Sequence, residues 1–135
     1  MTQRRANMRS QGFEVAGLHH IQLAIPVGGE DACRQFWGDV LGLTELTKPA
    51  GLAGRGGCWF GGGRLELHLG VEEDFTPARK AHPGILVDGL AELADRLEAA
   101  GARVIWDSEL VGHDRFYSYD PFGNRLEFLA PKQVS

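Results

Sequence analysis

Alternation of apolar and polar positions divides the chain into two similar halves. From Leu18 to Ile25, His19, Ile21, Leu23 and Ile25 fall on one side of a strand and His20, Gln22 and Ala24 on the other, with Pro26 closing it. Glu30 to Leu41 changes to helical period, with Ala32, Cys33, Phe36, Val40 and Leu41 as the apolar stripe and Gly42 as the stop. Three short strands follow, over Thr44 to Lys48, Arg55 to Phe60 and Arg64 to Leu69. Gly61, Gly62 and Gly63 form a hairpin turn between the last two. After a polar link from Val71 to Ala81 the pattern restarts. A strand over His82 to Val87 leads to a helix with Asp88 as N-cap and Leu90, Leu93, Leu97 and Ala100 as its stripe. Gly101 ends that helix, and strands are expected over Arg103 to Trp106, Arg115 to Tyr119 and Asn124 to Leu129. Each half reads β-α-β-β-β. Neither is large enough to be stable alone, so the two should share one core. The expected fold class is α+β, with a tail over 1–16 and one domain over 17–131 built from modules at about 17–70 and 81–131.

The repeat carries chemistry. His20 precedes Glu66 by 46 residues and His82 precedes Glu127 by 45, so each half holds a histidine at the head of an apolar run and a glutamate in its last strand. If each helix covers the apolar face of its own sheet, parity leaves His20, Glu66, His82 and Glu127 on the uncovered faces. Two imidazoles and two carboxylates converging in a cleft suit a divalent metal such as Zn, Ni, Co, Mn or Fe(II). His19 falls on the helix-facing side and reads as a packed or edge histidine. His68, one pleat beyond Glu66, reads as a surface histidine at a strand end or a substitute ligand. Trp37, Trp59 and Trp106 read as core or dimer-interface aromatics.

At 135 residues, 43% hydrophobic and 24% charged, the composition is that of an ordinary globular domain. A net charge of −4 with no basic stripe argues against nucleic-acid binding. No apolar run reaches the roughly 20 residues of a membrane span, and the polar start lacks the centre of a signal peptide. A cytoplasmic location is expected. Cys33 and Cys58 have no metal-type spacing and read as small buried residues.

Four stretches together resemble the vicinal oxygen chelate superfamily, which includes glyoxalase I, extradiol dioxygenases, fosfomycin-resistance enzymes and bleomycin-binding (bleomycin resistance) proteins. They are Leu18-His19-His20-Ile21-Gln22-Leu23, Phe36-Trp37-Gly38-Asp39-Val40-Leu41-Gly42-Leu43, His82 at the head of the second half, and Asp120-Pro121-Phe122-Gly123-Asn124-Arg125-Leu126-Glu127. The resemblance implies paired modules whose sheets form a cup, the glyoxalase-like fold. It implies metal ligands at His20, His82 and Glu127, with Glu66 as the fourth ligand of glyoxalase-I-like members. It also implies that the strand before the Asp-Pro turn lines the substrate cavity. Parity then turns Arg115 and Tyr117 inward, Arg115 to clamp a carboxylate or phosphonate and Tyr117 to donate a hydrogen bond. Small members usually form homodimers, often with sites shared between two chains.

The leading expectation is therefore a metal-dependent lyase or isomerase of glyoxalase type acting on a small oxygenated substrate. The metal would serve as Lewis acid, and Glu66 or Glu127 as general base. One alternative is an Fe(II) or Mn(II) extradiol-type dioxygenase using His20, His82 and Glu127. The other is a metal-free protein that binds an antibiotic or metabolite in the same cup.

Overall fold

A computed structural model of the chain describes residues 11–133. The tail expected over 1–16 lies mostly outside them. Eight strands form two four-stranded mixed sheets of the same design. The first joins β1 (Ile21–Ile25), β2 (Thr44–Leu46), β3 (Cys58–Gly62) and β4 (Leu65–Val71) in the order β1-β4-β3-β2. The second joins β5 (Gly84–Leu86), β6 (Ile105–Asp107), β7 (His113–Tyr119) and β8 (Arg125–Pro131) in the order β5-β8-β7-β6. In both, the first strand lies parallel to the last and the other pairs are antiparallel. The expected α+β class and the duplicated β-α-β-β-β order are both present.

The helices depart from expectation in detail. Helix α1 starts as an α-turn, Glu30–Cys33, and widens over Arg34–Val40, where Leu41 donates its N–H to the Phe36 carbonyl five residues back. The wide turn lets the adjacent Phe36 and Trp37 both bury, at 7% and 0% exposure. Helix α2 runs over Leu90–Ala99, and Asp88 does not cap it. Gly89 holds the N-cap position at φ 81°, without a side-chain cap, because the chain enters through a left-handed turn that favours glycine. The glycine run divides its roles: Gly61 and Gly62 belong to β3, and Gly63, at φ 54°, begins the turn into β4. β1 starts only at Ile21, so His20 sits just before the strand rather than within it.

Both helices face one interior. Cys33, Phe36 and Trp37 of α1 pack with Leu90, Ala94 and Leu97 of α2, and with Ile25, Cys58, Phe60, Leu67, Leu69, Phe116, Leu126 and Phe128 from the two sheets. The helices also touch directly. Arg96 of α2 donates from Nε to the Val40 carbonyl and from Nη2 to the Asp39 carbonyl at 2.9 Å, satisfying carbonyls at the end of α1. Cys33 and Cys58 are free thiols at 0% and 1% exposure, as small core residues should be. The contact with the Cys58 sulfur, and then burial, push the Cys33 thiol up, so it stays neutral. The shared core turns the uncovered face of each sheet away from the helices.

Candidate functional site

The β7–β8 turn ties the modules together. Asp120 accepts through Oδ1 from the N–H groups of Phe122 and Asn124, at 2.9 and 2.8 Å. Asn124 donates from Nδ2 to Asp120 Oδ2 at 2.8 Å and to the Ala24 carbonyl of β1 at 2.9 Å, while its Oδ1 accepts from Ala78 N–H at 2.9 Å. Asn124 is 1% exposed and Asp120 5%. Burial raises the Asp120 carboxyl, against the hydrogen bonds that favour its charged form. The residues that shape this turn are thus Asp120 and Asn124 as much as Pro121 and Gly123.

Downstream, β8 presents Arg125, Glu127 and Leu129 on the uncovered face, and its register places Tyr117 opposite Glu127 and Arg115 opposite Leu129. The 78–83 segment runs beside β8: Arg125 donates its N–H to the Ala78 carbonyl and Glu127 to that of Pro83, at 2.9 and 3.1 Å. This brings His82 Nε2 to 2.9 Å from Glu127 Oε1. His82 Nδ1 lies 2.9 Å from the Lys80 carbonyl. A carbonyl oxygen only accepts, so Nδ1 carries the ring proton and the Nε2 lone pair is aimed at a carboxylate. Two facing lone pairs at this distance need a proton shared between Nε2 and Oε1, or a metal ion that both atoms bind. A backbone carbonyl behind the imidazole is also the usual way a metal-binding histidine is oriented.

Glu127 Oε2 accepts from Arg115 Nη1 at 3.1 Å, and Arg115 Nη2 donates to Asp107 Oδ2 at 2.9 Å. Burial alone would raise the Glu127 carboxyl, but the hydrogen bonds from His82 and Arg115 outweigh it and hold it below its ordinary range. Tyr117 packs edge-on to His82, with the Arg115 and Arg125 guanidinium carbons 5.1 and 4.1 Å from its ring centroid. Arg115 and Tyr117 therefore do share the face of Glu127, as parity predicts, but Arg115 is committed to two carboxylates of its own chain.

The first module carries a different arrangement. Register places His68 between Gln22 of β1 and Trp59 of β3. The His68 ring lies parallel to Trp59 at 3.7 Å between centroids and stacks on His20 at 4.0 Å. Its Nε2 is 2.8 Å from Glu66 Oε2, and this hydrogen bond is what lowers the Glu66 carboxyl most. His68 is only 6% exposed, so it is not a surface histidine. His19 is not packed: it is exposed, with Nδ1 2.9 Å from His20 Nδ1. Trp37 is a core residue, Trp59 is half-buried beside the stack, and Trp106 is 53% exposed. Around the stack lies a cavity of about 500 Å³, lined by His20, Lys48, Arg55, Trp59, Glu66 and His68 among others of this module.

Each of the four expected ligands thus has a close polar or aromatic neighbour: His82 with Glu127, and Glu66 and His20 with His68. Among the described residues no group of three or more His, Cys, Asp or Glu side chains is set to hold a metal within one chain. Sequence reasoning missed the Trp59–His68–His20 stack. The signal was present in the shared parity of His20, Glu66 and His68, but the strand register that brings Trp59 alongside was not.

Two β-α-β-β-β modules, each with an imidazole and a carboxylate on the face opposite its helix, define a glyoxalase-like protein of the vicinal oxygen chelate superfamily. The family model described as glyoxalase-like domain matches residues 22–129, and the chain belongs to this family. A glyoxalase family protein from Bacillus anthracis is 44% identical, with 88% of this chain and 98% of that one covered and a TM-score of 0.85. A glyoxalase/dioxygenase from Nostoc punctiforme shares the fold at 22% identity, 98% coverage of both chains and a TM-score of 0.69. The fosfomycin resistance protein FosX from Listeria monocytogenes does so at 16% identity, 88% and 96% coverage and a TM-score of 0.70. No curated protein sequence matches the chain significantly. None of the described helices is long and apolar enough to cross a membrane.

Proposed function

We propose that the protein is a metal-dependent enzyme of glyoxalase-like type, acting on a small oxygenated substrate that binds the ion through adjacent oxygens. The observation that carries this reading is His82. With Nδ1 held by the Lys80 carbonyl, Nε2 and the facing Glu127 oxygen form a pair of donor atoms that a metal ion could occupy in place of the proton they otherwise share. His82 Nε2 and Glu127 Oε1 would hold a divalent ion (Zn, Ni, Co, Mn or Fe(II)), while Arg115 keeps the other Glu127 oxygen in place. A bound ion would supply Lewis acidity to the substrate oxygens.

The rest falls to the chain's own groups. Glu127 or Glu66, both held in the charged form, suits the role of general base, and Tyr117 that of hydrogen-bond donor to substrate. His20 and Glu66 would complete the ion's shell. Because each module's uncovered face is turned from the common core, the reading includes a homodimer in which His20 and Glu66 of one chain meet His82 and Glu127 of its partner.

Elemental analysis of purified protein, with a His82→Ala control, tests this reading. About one divalent ion per chain in the wild type and a large loss in the variant are expected. Protein prepared with Ni, Zn, Mn and Fe supplied in turn that holds none would overturn it. Ligand binding insensitive to chelator would point instead to a metal-free binding protein.

One observation favours a dioxygenase as the second reading. Glu66 is engaged by His68, which leaves His20, His82 and Glu127 as a three-residue ligand set of the kind that holds Fe(II). Iron-dependent oxygen uptake with catechols would establish it, and no uptake across a broad catechol panel would eliminate it.

A further inference from the structure

Arginine 125 stands on the same face as Glu127 and has a different status from Arg115. Its guanidinium carbon lies 4.1 Å from the Tyr117 ring centroid, within cation–π reach. Its Nε is buried and lacks a hydrogen-bond partner among the described residues. Arg115 Nε shares that lack, but both terminal nitrogens of Arg115 are taken by carboxylates.

The neighbouring acceptors are already used. Glu127 Oε1 faces His82 and Oε2 faces Arg115. Asp107 Oδ2 accepts from Arg115, and Oδ1 accepts from the Glu109 N–H. Two arginines and two carboxylates share this face, yet both carboxylates serve Arg115 and His82. Among the described residues Arg125 forms no ion pair, whereas Arg115 forms two. A guanidinium presents paired donors along its edge in a geometry matched to carboxylate and phosphonate oxygens.

We infer that Arg125, lying against Tyr117, recognises an oxyanion on the substrate, a carboxylate or a phosphonate. The substrate class is then a small anionic molecule whose charged group docks at Arg125 while its neutral oxygens lie toward His82 and Glu127. Arg115, the candidate clamp on sequence grounds, is the positioning residue for Glu127 instead. This assignment rests on the functional reading above for the identity of the site as a substrate site.

The test is an NMR titration of ¹⁵N-labelled full-length protein with methylphosphonate and, separately, with acetate, each with and without chelator. In the wild type the Arg125 Nε–H signal should shift saturably with at least one of the two, which also tells phosphonate from carboxylate. Arg125→Gln should weaken that binding at least tenfold, and Arg125→Lys should recover part of it. Arg64→Gln, on the remote β3–β4 turn, should leave it unchanged. No saturable shift of the Arg125 Nε–H signal with either probe, or equal weakening by Arg64→Gln and Arg125→Gln, would overturn the assignment. If Arg125→Gln fails to fold, the wild-type Nε–H shift alone decides. Anion binding that needs Arg125 and survives chelator upholds the inference even if elemental analysis finds no metal. A metal-loaded protein that binds anions without regard to Arg125 overturns it and leaves the metal reading standing.

Discussion

His82 and Glu127, 45 residues apart, face each other across 2.9 Å while the opposite nitrogen of the imidazole is already held by the Lys80 carbonyl. The geometry makes Arg115 a support for the pair, because it fixes the second Glu127 oxygen at 3.1 Å. Outer-shell partners of this kind typically change metal affinity by 10–100-fold when removed. Arg115→Gln is accordingly expected to weaken metal binding by about that factor, measured by competition with a chromogenic chelator, while circular dichroism stays native. Unchanged affinity would mean that Glu127 is oriented by β8 alone.

Sharing of the site between two chains has a direct test. His20→Ala and His82→Ala each remove a ligand, but from different modules. In a shared-site dimer, mixed pairs made by refolding the two variants together contain one site with both defects and one intact site. Metal content and activity should reappear in the mixture and in neither variant alone. If the mixture stays as empty as its components, both histidines act within one chain.

Much of the architecture was legible because strand parity and helix period are short-range signals. The alternation around Leu65 to Leu69 and the stripe through Leu90, Leu93 and Leu97 place these elements correctly, and parity, applied to the strand that the family resemblance singled out, put Arg115 and Tyr117 on the face of Glu127. What was not legible depends on register between strands far apart in sequence. Asp107 lies opposite Arg115 only because β6 pairs with β7 in that phase, and this pairing gives Arg115 an ion-pair partner that its own strand does not reveal. The burial of His68 likewise follows from Trp59 lying opposite it on β3. Asp88 has the composition of an N-cap, but the left-handed turn at Gly89 moved the cap one residue on.

The His68 stack is expected to support the first module. His68→Ala removes a buried ring pressed between Trp59 and His20 and leaves Glu66 without its hydrogen bond. A loss of about 1–3 kcal/mol follows from the aromatic contact and the broken hydrogen bond together. His68→Phe should recover part of the stability by restoring the stack but not the contact to Glu66. Urea unfolding monitored by circular dichroism gives both values. Equal stability of the two variants would assign the whole effect to the hydrogen bond.

Asn124 joins Asp120, the Ala24 carbonyl and the Ala78 N–H from inside the fold. Asn124→Ala strands one oxygen of a buried carboxylate and two backbone groups. The expected cost is about 2–4 kcal/mol, in the upper range for a single substitution. Asn124→Asp keeps the volume but sets a second acid against Asp120 and takes away the Nδ2 donor. It should be no better tolerated at pH 7. Thermal denaturation of both variants is the measurement, and a drop in Tm under two degrees for Asn124→Ala would contradict the accounting.

Glu30 offers a pH dependence free of the candidate ligands. Its Oε2 accepts the Gly57 N–H at 2.8 Å, pinning the start of α1 to the entry of β3. Gly57 sits at φ 81° with its Cα against the Leu69 carbonyl, where an added Cβ would come within 2.1 Å, so this N–H is held firmly in place. The Gly57 N–H is the chief cause that lowers the Glu30 carboxyl from its ordinary value of 4.5, followed by the helix-start N–H of Glu30 itself. A carboxylate lowered in the folded state contributes stability that is complete above its unfolded value and is lost as pH falls through the folded one. The Glu30→Gln protein should therefore be less stable than wild type at pH 7. The gap between the two should narrow once pH falls below about 4.5 and close in stronger acid. Other carboxylates titrate in both proteins alike, so the difference between the two unfolding curves isolates Glu30. A gap that stays constant from pH 7 to pH 3 would show that the glutamate acts through packing, not through its charge.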